Sequence, residues 1–189
     1  MKIRLRGIAV AALAWSVAGC MTSASVPETG AVAESKASQG TVLRRATLLT
    51  HDIEKSIAFY EIIGFEQWYV GQPGEISESG LPVEGTQAGD PSRFVIMKGN
   101  HPYVGMIGLL QYGEATHPGE PGLRHGDAIM MVEAEGLDEI FRKLVAGGYK
   151  VHKPIETVPI QSVSDSWDAR FAMVYDPDGH LVELTERLN

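Results

Sequence analysis

The reactive side chains of this sequence are few and scattered. Its one cysteine, Cys20, excludes an internal disulfide framework and a CxxC zinc site. His101 and His117 fall in the turn-rich segments NHP and THPG, and His152 and His180 fall near strand ends. Each reads as a solvated or hydrogen-bonded histidine rather than a ligand or base. There is no GxSxG elbow, P-loop or HExxH pair. Aromatic side chains offer more. Trp68, Tyr69 and Tyr103 read as strand residues able to wall a cavity, and Trp167 and Arg170 enter a later strand. Flat walls of this kind suit a bound small molecule, although large aromatics also fill cores.

The elements that must position these residues follow from spacing. Two stretches match: Leu48–Phe65, LLTHDIEKSIAFYEIIGF, and Met130–Tyr149, MMVEAEGLDEIFRKLVAGGY. Each reads as a strand, a polar turn, an amphipathic helix, then glycine and an aromatic ring. Ile53, Ile57, Tyr60 and Ile63 share one helical face; Leu137, Ile140, Phe141 and Leu144 share the other. Asp52 suits the first N-cap, and Gly64 and Gly148 suit the C′ positions. Strands follow at 66–70, 93–98 and 104–110, and again at 150–152, 169–175 and 181–184. The unit is therefore βαβββ, used twice, an α+β class. Residues 71–92 read as a long loop, and Asp176-Pro177-Asp178-Gly179 as a type I turn.

Composition bounds the function. The chain has 189 residues and a formal net charge of −8, which argues against nucleic acid as a partner. Lys2, Arg4 and Arg6 precede an apolar run, Ile8–Val17, too short to span a bilayer. Val17-Ala18-Gly19-Cys20 then resembles the lipobox of bacterial lipoproteins. That resemblance implies a signal peptide over 1–19, cleaved before Cys20, and lipid on Cys20; the residues after it, rich in Ala, Ser, Gly and Thr, read as a flexible tether, so that 20–40 is lipidated cysteine plus tether. It also implies an anchor in the cell envelope. With Met21 after the cysteine, that is the periplasmic face of the outer membrane. The globular part is residues 41–189.

DIEKSIAFY at 52–60 followed by Ile63-Gly64-Phe65, together with Trp167-Asp168-Ala169-Arg170 and DPDGHLVEL at 176–184, resembles the vicinal oxygen chelate superfamily of glyoxalases, bleomycin resistance proteins and dioxygenases. The resemblance implies two modules curled into a cleft around a ligand, paired within one chain or across a homodimer. Metal-dependent members carry four ligands there. The corresponding positions here are Arg45, Gly108, Asp127 and Glu183. Arginine has no lone pair to donate and glycine has no side chain. The resemblance therefore implies a metal-free cavity in which Arg45 pairs with Asp127 and Glu183 and anchors an anionic or oxygen-rich ligand. Trp68, Tyr103, Trp167 and Arg170 would wall it. The alternative is a glyoxalase-like lyase using Glu183, then Asp127, as base, although a carboxylate paired with arginine is a weakened base. A slip of two residues in the fifth strand would instead offer His125, Asp127 and Glu183 to a divalent metal.

Overall fold

A computed structural model describes residues 41–114, 119 and 121–188. The segments read as signal peptide and tether, with Cys20, lie outside the described residues. Thr41–Asn189 form one compact unit.

The first module runs β1 (Arg45–Thr50), α1 (Ile53–Ile62), β2 (Glu66–Val70), β3 (Gly74–Glu75), β4 (Pro91–Lys98) and β5 (Met106–Tyr112). The second runs β6 (Met130–Glu133), α2 (Leu137–Ala146), β7 (Val151–Gln161), β8 (Ser166–Tyr175) and β9 (Leu181–Arg187). Both helices start and stop where the spacing requires. Asp52 accepts a hydrogen bond from the Lys55 amide at 3.2 Å, and Gly64 and Gly148 adopt φ of 98° and 76° beyond the helix ends.

Each module is a mixed sheet with its helix on one face. The orders are β1-β5-β4-β2 and β6-β9-β8-β7, with β1 parallel to β5 and β6 parallel to β9. Two details differ from the expectation. The 71–92 segment is not wholly a loop, because Gly74–Glu75 pairs with β4 as a short edge strand. β7 extends to Gln161, far beyond residue 152, because it pairs with β8 as far as Ser166.

Strand alternation sorts each sheet into two faces. Val95, Met97, Ile107 and Leu109 of the first sheet face α1, and Val174, Val182 and Leu184 of the second face α2. These residues and both helices form one continuous core. Phe59 stacks edge-on against Tyr60 and against Tyr149 of the other module, each with ring centres 5.1 Å apart. The modules are thus joined on their helix sides. β1 and β6 remain edge strands of separate sheets, with no ladder between them among the described residues.

Candidate functional site

Arg45 begins β1 on the face turned away from α1. Its stem crosses Gly108 of β5, and a β-carbon on residue 108 would lie 3.1 Å from the Arg45 Cδ. The guanidinium reaches on to β4, 5.0 Å from the centre of the Phe94 ring. Its Nε donates to Thr47 Oγ1 at 3.2 Å. The Tyr69 ring lies 6.3 Å from Phe94. The result is an exposed cation resting on an aromatic floor, with a neutral hydroxyl as its described hydrogen-bond partner.

The expected pairing of Arg45 with Asp127 and Glu183 is not what the structure shows. Asp127 precedes β6 rather than lying in it. Its carboxylate accepts from the Arg124 amide at 2.7 Å and closes a turn that contains His125 and Gly126, whose φ is 105°. Glu183 lies on β9 between Met131 and Met173, on the face turned away from α2, and accepts from Thr185 Oγ1 at 3.2 Å. The physical reason is the seam: β1 and β6 share no ladder, so their positions are not held at strand spacing. The carboxylates assigned to a lyase are likewise held in separate settings.

The aromatic and basic positions also separate. Trp68 sits at the irregularity between Gln67 and Tyr69 of β2, half exposed. Tyr103 lies on the exposed β4–β5 turn rather than on a strand. Trp167 of β8 carries the Arg187 guanidinium 4.5 Å over its ring. Arg170 is held by carboxylates instead. It pairs with Asp138 of α2 at 2.9 Å and with Glu186 at 3.2 Å, and Glu186 in turn accepts from the amides of Gly136 and Leu137 at the start of α2. Arg170 holds a helix cap in place.

The metal positions of the fold can be tested on these residues. Arginine cannot coordinate, and the space a ligand at 108 would need is filled by Thr47, Phe94 and Arg45. His125, Asp127 and Glu183 do not assemble, and no cluster of three potential ligands occurs among the described residues. The site does not fit a metal ion.

Sequence reasoning missed a second polar centre. Asp178, in the turn before β9, accepts from the His51 amide at 2.8 Å and from Ser56 Oγ at 2.8 Å, and also contacts His51 Nδ1. Ser56 in turn bonds Thr50 at 2.6 Å. Next to it, buried Asp176 accepts from Tyr60 OH at 3.0 Å and contacts His180 Nδ1 at 3.0 Å. Burial pushes the Asp178 carboxyl up, but the hydrogen bonds from Thr50, His51 and Ser56 outweigh it and hold it below its ordinary value. Burial pushes His180 down, but Asp176, Asp178 and Asp127 outweigh it and raise it. Burial, then Asp176, push Tyr60 up, so its hydroxyl keeps its proton. Ser56 Oγ is spent on Asp178 and fully buried, so this is not a nucleophile but a clasp between the modules. The only sequence signal was the DxxxS and DPDGH pair, without any indication that the two meet.

A cavity of about 770 Å³ lies at the other end of the seam, between the β4–β5 turn and the β6–α2 segment.

Comparison with known proteins agrees with this architecture. The family model described as Glyoxalase/Bleomycin resistance protein/Dioxygenase superfamily matches residues 42–184. Comparison with curated protein sequences gives no match. Among solved structures, a glyoxalase family protein from Bacillus cereus is similar at 20% identity and TM-score 0.59, over 80% of this chain and 99% of that one. A glyoxylase/bleomycin resistance protein/dioxygenase domain from Frankia sp. EAN1pec is similar at 14% identity and TM-score 0.55, over 79% and 99%. The glyoxalase I of Leishmania major is similar at 17% identity and TM-score 0.50, over 78% and 87%. At these identities the likeness is one of fold. With two βαβββ modules and a family match across nearly all of its described residues, the chain belongs to the glyoxalase/bleomycin resistance protein/dioxygenase superfamily.

Proposed function

We propose that this chain is a lipid-anchored envelope protein that binds a small anionic or oxygen-rich molecule without a metal ion. The observation that supports it is Arg45. Its guanidinium is exposed over Phe94, and its described hydrogen bond goes to a neutral hydroxyl. In a chain of formal charge −8, such a cation is available to a carboxylate or similar group, with Phe94 and Tyr69 as a flat apolar surface beside it. The open edges β1 and β6 favour a homodimer in which β1 of one copy lies against β6 of the other. That arrangement would set the Arg45 face opposite the Glu183 face and enclose the ligand.

Isothermal titration of the full chain with aromatic and aliphatic carboxylates, and their amides as neutral controls, tests the binding. At least one carboxylate should bind in preference to its amide, and Arg45→Ala should weaken it tenfold or more. Equal affinity for the amides, or an Arg45→Ala protein that binds as well as the parent, defeats the reading. Anchoring is tested separately. Labelled palmitate should enter the wild-type chain and not Cys20→Ser, and the variant should leave the membrane fraction.

A further inference from the structure

The two modules repeat with a constant offset around their helices, so their ends can be compared residue by residue. Thr50, His51, Ser56 and Tyr60 of the first module correspond to Ala134, Glu135, Ile140 and Leu144 of the second. The turn at 176–180, between β8 and β9, corresponds to the turn at 99–105, between β4 and β5. At one end of the seam, the four polar side chains around α1 meet Asp176 and Asp178, and the turn is bound tightly. At the other end three of the four are apolar, and the turn carries Asn100 and His101 in place of aspartates. The side-chain hydrogen bonds described for that turn stay inside it: the amides of Tyr103 and Val104 donate to His101 Nδ1 at 3.1 Å. The cavity of about 770 Å³ occupies the place where the corresponding clasp would be, with Ala134, Glu135, Ile140, Asn100 and His101 among its lining residues.

We infer that this cavity is a ligand site of its own, for an uncharged, largely apolar small molecule. Ile63, Phe65, Ile107, Met130 and Val132 wall it. Four titratable residues line it, Arg45, His101, Glu133 and Glu135, and all four are exposed, so the more buried part of the lining is apolar. Met106, Met130 and Met131 supply adaptable surface. The volume falls within the range of roughly 300–1,000 Å³ typical of small-molecule sites. Arg45 rests over Phe94 and also lines this cavity, so the two readings share that one residue but differ in the ligand they take: a carboxylate over Phe94, an uncharged molecule between the apolar walls.

The test titrates the full chain with N-phenyl-1-naphthylamine, a neutral apolar dye that brightens out of water. Saturable binding at one site per chain is expected. Ala46→Phe on β1 and Ala128→Trp ahead of β6 each add bulk at a lining position, and each should weaken binding at least tenfold. Melting curves show that each variant is folded, and Ala128→Trp, at an exposed position, covers the case in which Ala46→Phe is not. The proposal is overturned by an absence of saturable binding, or by filled variants that bind as the parent does. It is also overturned if dye binds only after residues 1–40 are clipped off, because the chain's own segment is then the occupant.

Discussion

Arg45 and Gly108 occupy one space. A β-carbon on residue 108 would lie 2.8 Å from Thr47 Oγ1, 3.0 Å from the Phe94 ring and 3.1 Å from the Arg45 stem. The arginine on β1 and the glycine on β5 are therefore one feature: the arginine crosses the sheet because the glycine leaves it room. Thr47 pairs with Gly108 in the β1–β5 register, which puts both residues on the same face.

Gly108→Ala should destabilise the protein by about 1–3 kcal/mol through overpacking. Combining it with Arg45→Ala should recover part of that cost, because one of the three neighbours is then gone. Urea unfolding of both single variants and the double variant measures the coupling. Strict additivity would show that the arginine stem does not press on residue 108.

The clasp gives stability a pH profile with two limbs. Asp178 titrates below its ordinary 3.8, so its contribution is present above that value and is lost as pH falls through the lower folded value. His180 titrates above its ordinary 6.5, so its contribution is complete below that value and is lost as pH rises through the folded one. Unfolding free energy from these two groups should be highest between about pH 4 and 6.5. Asp178→Asn should flatten the acid limb and His180→Gln the alkaline limb. At pH 7, Asp178→Ala should cost about 2–4 kcal/mol, since it leaves the His51 amide and Ser56 without their acceptor.

Tyr60→Phe removes one donor from Asp176 and leaves the ring packing intact. A cost of about 1–2 kcal/mol is expected in chemical denaturation. A neutral result would mean that His180 and the turn amides satisfy Asp176 unaided.

Arg170 and Glu186 should behave as a support for α2 and not as ligand residues. Glu186→Gln should cost about 1 kcal/mol by weakening the cap over the Gly136 and Leu137 amides. Arg170→Ala should lower the melting temperature and leave carboxylate affinity within twofold. A tenfold loss of affinity would return Arg170 to the binding site.

Much of the fold was legible because it rests on local chemistry. Helical spacing, an aspartate cap, glycines beyond helix ends and the DPDG turn each act over a few residues, and together they define two βαβββ modules. Arg45 and Gly108 could be marked as misfits to a metal site from their types alone, since no packing gives arginine a lone pair or glycine a side chain.

The contacts made by these residues depended on register and module packing. Arg45 lies on Phe94 because of where β5 pairs with β1 and β4. His51 meets Asp178 across 127 residues of chain, a closeness that no local pattern encodes. Asp127 lies ahead of β6, in a turn where its carboxylate accepts from the Arg124 amide. The sequence by itself determined the modules, the acidic charge and the unsuitability of two metal positions. Only the tertiary structure decided which ends of the modules meet through a buried polar clasp and which enclose a cavity. That difference lies in side chains distant in sequence, whose energies count only once they are buried together.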